Sequence, residues 1–205
     1  TPNVNLWSHC GGKLIWDDDF GFYKPDPDNA PIDKEGETIM LPLGACAGVF
    51  SNYDIQEQVP RKINQFASRL KIKSKRYIET NIFSKDLERK VPPVFVLPHG
   101  ASRDKQKRMY IDFQNDVKIS DLQLAAQEGF ENVEHAKRYT TLGMATDQGK
   151  TSNVNGIYVL SRSLGKSVGS IGHTSFRPPY KPIPLGLIAG QYTKKLFKPV
   201  KKTPI

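Results

Sequence analysis

Cysteine is nearly missing from this chain of 205 residues: only Cys10 and Cys46 occur, and neither has a neighbour at CxxC spacing. That excludes a disulfide framework and a thiolate metal site, and it suits a reducing, cytoplasmic compartment. Long apolar runs are missing too. No stretch approaches the roughly 20 apolar residues that a membrane-spanning helix needs, and no basic-then-apolar start reads as a secretion signal. With 38% hydrophobic residues and a mean hydropathy of -0.51, the chain reads as soluble, with no membrane partner. The histidines His9, His99, His135 and His173 lie far apart and lack ligand spacing, so no metal site is expected.

Acidic residues become scarce after residue 57. Residues 1–57 carry a net −7 and residues 58–205 a net +16, so the overall +9 hides an asymmetry. A basic excess can mark nucleic-acid binding. Here the lysines are scattered through stretches such as 71–75 and 194–202, without the interleaved aromatics that a base-stacking platform requires. The excess points to an acidic partner or an anionic cofactor, and no nucleic acid is expected.

What is present is uneven along the chain. Residues 13–16 and 20–23 flank the acidic turn Asp17-Asp18-Asp19, which predicts a hairpin. The apolar run 38–43 reads as a buried strand entering the small residues Gly44-Ala45-Cys46-Ala47-Gly48. Such a strand-to-helix turn lets backbone approach a dinucleotide, or simply packs a helix tightly on a strand. Ile63, Phe66, Ala67 and Leu70 fall at helical spacing, with Pro60 placed in a first turn. Residues 71–108 read as a long basic connector.

Residues 109–165 are better organised. A strand over 109–113 precedes a helix that Ser120 opens with a capping box and Gly129 stops. Asn132 caps a second helix, from Val133 to about Tyr139. A third starts at Thr151/Ser152, carries Val154, Ile157, Tyr158 and Leu164 on one stripe, and ends at Gly165. Residues 166–205 return to Pro- and Lys-rich linker.

Between the second and third helices lies Arg138-Tyr139-Thr140-Thr141-Leu142-Gly143-Met144-Ala145-Thr146-Asp147-Gln148-Gly149-Lys150-Thr151-Ser152. Glycines, hydroxyls, a lysine and a following helix start suit an anion. A triphosphate P-loop is excluded, because five residues separate Gly143 from Gly149 where four are required and the preceding element is helical. A loop that merely caps two helices, with Lys150 solvated, is the plainer alternative.

This run resembles the signature of the alpha subunits of heterotetrameric sarcosine oxidases. So do the segments 111–117, 129–135 and Phe176-Arg177-Pro178-Pro179-Tyr180, and, upstream, 7–13 and 43–48. The connector Lys71–Val91 departs most. The resemblance implies an α+β chain: the C-terminal portion of a Rossmann-like FAD/NAD-binding domain (1–70), the connector (71–108) and a small helical domain (109–165). A linker (166–205) would then lead toward a folate-binding domain. It implies an internal piece, inactive alone, of a cytoplasmic enzyme that demethylates sarcosine to glycine, with tetrahydrofolate taking the one-carbon unit and hydrogen peroxide as product. Both ends of the chain look like cuts through something longer.

The resemblance also implies partners and sites. Beta, gamma and delta subunits are the expected partners, and no catalytic residue is expected here. NAD contacts are expected at Gly44, Ala45, Gly48, Val49 and Ser51. Thr140, Thr141, Gln148, Lys150 and Thr151 are expected at the FMN phosphate or the subunit interface. The helical domain is similar to the bacterioferritin-associated-ferredoxin type, whose iron–sulfur ligand positions correspond to Asp112, Gln114, Asp147 and Ser152. None is a thiolate, so no iron–sulfur cluster is expected. The alternatives are a non-catalytic scaffold or binding protein that keeps the helical domain, and a subunit of a related amine or opine oxidase.

Overall fold

The computed structural model describes residues 2–72, 93–97, 100–178, 180–191 and 203–204. Most of the basic connector, His99, Pro179 and the lysine-rich stretch up to Lys202 lie outside the described residues.

The chain opens with a short helix, α1 (Asn5–His9), whose Trp7 is buried and donates from its indole to the Lys13 carbonyl at 2.7 Å. The acidic triplet then turns an antiparallel hairpin of β1 (Leu14–Asp17) and β2 (Phe22–Pro25), with Trp16 opposite Tyr23. The turn is closed by Asp17, which accepts from the Phe20 N–H and binds Lys24 at 2.7 Å. The expected hairpin is therefore present.

The expected strand over 38–43 is not. Thr38 makes a single bridge to Ile32, and residues 39–43 pair with nothing in a sheet. Pro42 removes a ladder donor, and the hairpin beside it stays two-stranded. Gly44–Ala47 forms a 3-10 turn with Gly48 left-handed behind it. Helix α2 (Asn52–Arg69) then begins eight residues before the expected Pro60 start, so Pro60 lies inside it. Its true opening signal is Ser51, whose Oγ accepts from the Asp54 N–H at 3.3 Å.

After the short α3 (Arg103–Gln106), β3 (Tyr110–Asp112) and β4 (Val117–Lys118) pair antiparallel. Three helices follow: α4 (Ile119–Gln127), α5 (Val133–Thr140) and α6 (Asn153–Leu164). Ser120 is not the α4 cap. Lys118 is, and the Asp121 carboxylate reaches back to its N–H at 2.8 Å. Asn132 does cap α5, and Gly129 and Gly165 are left-handed after their helices. The buried face of α6 carries Gly156, Ile157, Val159 and Leu160; Val154, Tyr158 and Leu164 are only half-buried.

These helices pack through Leu122, Ala125, Ala136, Leu142 and Leu160, all 0% exposed. Each fully buried leucine contributes about 1.5–3 kcal/mol relative to exposure. The same core takes in Tyr23 from the hairpin and Ile171 from α7 (Val168–Ile171). Tyr23 donates its hydroxyl to the Gly172 carbonyl at 2.7 Å, and burial pushes its pKa well above the ordinary tyrosine value. Hairpin and helices thus share one interior. No helix among the described residues is long and apolar enough to cross a membrane.

Candidate functional site

The site grows from Asp112, at the end of β3, which is 2% exposed. Its Oδ1 accepts from the N–H groups of Gln114 (2.9 Å) and Asn115 (3.1 Å), which shapes the turn into β4. Its Oδ2 reaches across to the loop between α5 and α6, accepting from the Gly143 N–H at 2.7 Å and from Ser152 Oγ at 3.2 Å. Two neighbours reinforce the link. Asn115 Nδ2 donates to the Thr141 carbonyl at 2.8 Å, and Gln114 Oε1 accepts from the Asp147 N–H at 3.2 Å.

Asp147 closes the far half of the loop. It accepts from the Gly149 N–H, the Thr151 N–H and Thr151 Oγ1, the last at 2.7 Å. Burial works to raise its pKa, but these donors and the Lys150 charge outweigh it and hold the carboxyl below its ordinary value. Asp112, Gln114, Asp147 and Ser152, scattered in sequence, are therefore brought together and joined by hydrogen bonds.

The loop backbone is unusual. Thr141, Gly143, Gln148 and Gly149 are all left-handed, with φ of 64°, 65°, 56° and 71°. Glycine is required twice for a second reason. A Cβ on Gly143 would stand 2.0 Å from Asn153 Oδ1, and one on Gly149 2.2 Å from the same amide. Asn153, on α6, thus fills the space beneath both turns, and its Oδ1 has no hydrogen-bond partner among the described residues.

Beside this loop lies a cleft of about 160 Å³, lined by Lys137, Arg138, Gly143, Met144, Gln148 and Arg177, among others. Glu134 organises its wall, pairing with Arg138 at 3.2 Å and accepting from the Ser175 N–H. Half-burial lowers the Lys137 pKa; Glu134 opposes that, and the charges of Arg177 and Arg138 lower it further. Lys137, Arg138 and Arg177 against the single carboxylate of Glu134 leave the cleft with a net positive lining.

Of the five residues expected at a phosphate, only Gln148 lines this cleft. Thr140 donates to the Ala136 carbonyl, and Thr151 is tied to Asp147. Lys150 donates to the Tyr180 carbonyl at 2.7 Å and sits 4.3 Å from that ring's centre. Sequence reasoning missed Lys137, Arg138 and Arg177 as site residues; the signal was their presence in the motif segments already singled out. Gly44, Ala45, Gly48, Val49 and Ser51 form the turn before α2, and none of them lines the cleft. Cys46 Sγ donates to the Asn3 carbonyl, and burial pushes its thiol pKa up. Among the described residues, no group of three or more His, Cys, Asp or Glu could hold a metal.

Residues 106–191, which contain the whole loop network and the cleft, match the sarcosine oxidase A3 domain. The full chain is 35% identical to sarcosine oxidase subunit alpha of Rhizobium meliloti (strain 1021), covering 19% of that protein. It is 31% identical to the same subunit of Corynebacterium sp. (strain P-1), covering 20% of it. The chain thus spans about a fifth of the length of these two curated relatives, both of which align with all of it. Among solved structures, L-proline dehydrogenase from P. horikoshii shares the fold, with a TM-score of 0.60 at 20% identity over 92% of this chain and 37% of that one.

Proposed function

We propose, from a chain homologous throughout to sarcosine oxidase alpha subunits, that it is an internal part of an oxidoreductase subunit of that type. In this reading the whole enzyme oxidises sarcosine to glycine, with tetrahydrofolate as one-carbon acceptor and hydrogen peroxide as product. This segment supplies cofactor-domain structure and contacts to beta, gamma and delta subunits, and carries no residue for the carbon–hydrogen cleavage.

The observation that carries the reading at this site is the crowding of Lys137, Arg138 and Arg177 around one small cleft. Their side chains, with Gln148, fit the phosphate of FMN. When bound, FMN would supply electron transfer; the chain's own residues would hold the phosphate by charge-assisted hydrogen bonds. The Asp112 network keeps the Gly143 turn in place beside them. An iron–sulfur cluster does not fit, because Asp112, Gln114, Asp147 and Ser152 offer no thiolate, and their oxygens are bonded to backbone N–H groups, to Thr151 or to one another. For NAD, the support is the tight turn Gly44–Ala47 leading through Ser51 into an 18-residue helix. Gly44, Ala45, Gly48 and Val49 would offer backbone there, within a larger Rossmann-like domain.

The test compares FMN with riboflavin, which lacks the phosphate, on the chain and on its co-purified complex with a partner subunit. FMN should bind at least about tenfold tighter, and Arg177→Glu should remove most of that preference. Equal affinity for the two flavins in both preparations would sink the phosphate assignment.

A further inference from the structure

A second, apolar chamber of about 430 Å³ lies next to the basic cleft, and the side chains of Phe176 and Tyr180 border both. Distant parts of the chain wall it: Val4 and Leu14 from the amino-terminal segment, Val154 and Ile157 from α6. Flat faces come from Tyr23 and His173, whose rings are 5.5 Å apart, and from Phe176 and Tyr180, 5.4 Å apart. A concave site lined by aromatic and aliphatic groups with a few polar ones is what holds a small ring-bearing molecule.

Charge narrows the class. None of the described lining residues is acidic, while Lys150 and Lys181 both border the chamber. The Asp147 charge reaches the Tyr180 hydroxyl, but Asp147 does not line the chamber and the Lys150 charge beside it offsets its own. Such a chamber repels cations, accepts neutral rings, and favours a ring that carries one negative charge.

We propose that this chamber is a binding site for a small aromatic monocarboxylate, separated from the basic cleft by Phe176 and Tyr180. The proposal does not depend on what the cleft itself holds.

The probe is 2-naphthoate, titrated calorimetrically into the 205-residue chain with and without FMN, with 2-naphthalenemethanol as the neutral control. We expect saturable one-to-one binding in both conditions, about two- to fivefold weaker for the alcohol. Val154→Trp and, from the opposite wall, Leu14→Trp should each abolish it without changing flavin affinity. Each variant is read only if it keeps the wild-type unfolding midpoint, and perturbation of the Ile157 methyl signals in the parent chain places the ligand independently. Absence of saturable binding, equal affinity for the alcohol, or binding that survives both fillers would overturn the proposal. Competition between naphthoate and FMN would merge the two sites and overturn it equally.

Discussion

The Asp112 carboxylate and the Ser152 hydroxyl, 40 residues apart in the chain, meet at 3.2 Å in the buried interior, with the Gly143 N–H on the same oxygen at 2.7 Å. One side chain thereby fastens the β3–β4 turn to both ends of the loop between α5 and α6. Removing it strands donors that cannot reach water.

Asp112→Ala should therefore destabilise the chain by about 3 kcal/mol, and Asp112→Asn, which keeps one acceptor, by about half as much. Urea unfolding measures both. A cost under about 0.5 kcal/mol for the alanine variant would show that the network is dispensable.

Thr141 is a β-branched residue held at φ 64°. That conformation costs roughly 1–2 kcal/mol for an L-residue, so Thr141→Gly should raise stability by up to about 1 kcal/mol. The thermal midpoint should rise accordingly, provided that Asn115 still holds the 141 carbonyl.

Gly149→Ala should fail for two separable reasons, backbone strain and collision with Asn153. The single variant should lose at least about 2 kcal/mol. Adding Asn153→Ala should return about half of that and no more, because φ at 149 remains left-handed. Full recovery would mean that the collision alone matters.

Acid should open the loop before it opens the core. The Asp147 carboxyl is held below its ordinary value of 3.8, so its contribution is full above that value and is lost as pH falls through its lower native one. Protection of the Gly149 and Thr151 amides, taken relative to their intrinsic exchange rates, should fall as pH drops below about 3.8, and Asp147→Asn should flatten that dependence.

Local signals were legible where local chemistry decides the structure. The acidic hairpin turn, the Asn132 cap and the glycine stops at 129 and 165 all follow from neighbours within four residues. The run 38–43 misled because its apolarity resembles a strand, yet only one of its residues forms a bridge. Pro60 misled because its first-turn preference is a tendency, and α2 has its cap at Ser51. At the site, the loop was recognised, but its organiser was not. The resemblance groups Asp112 with Gln114, Asp147 and Ser152, but that its carboxylate gathers the Gly143 N–H and the Ser152 hydroxyl is visible only in the fold. Arg177 joins Lys137 and Arg138 through a turn pinned by Glu134, a relation that no sequence spacing announces.

The bond from the Tyr23 hydroxyl to the Gly172 carbonyl closes a separation of 149 residues. Contacts of such span are slow to form, because the chain loses loop entropy before the packing that offsets it is available. During synthesis, the hairpin must wait for nearly all of the helices to emerge before its aromatic face is covered. Until then Tyr23 stays exposed, and both the chamber and the flank of the cleft beside it are absent. The chamber and the cleft are thus among the last features to mature, and a ligand bound in either would report on completed folding.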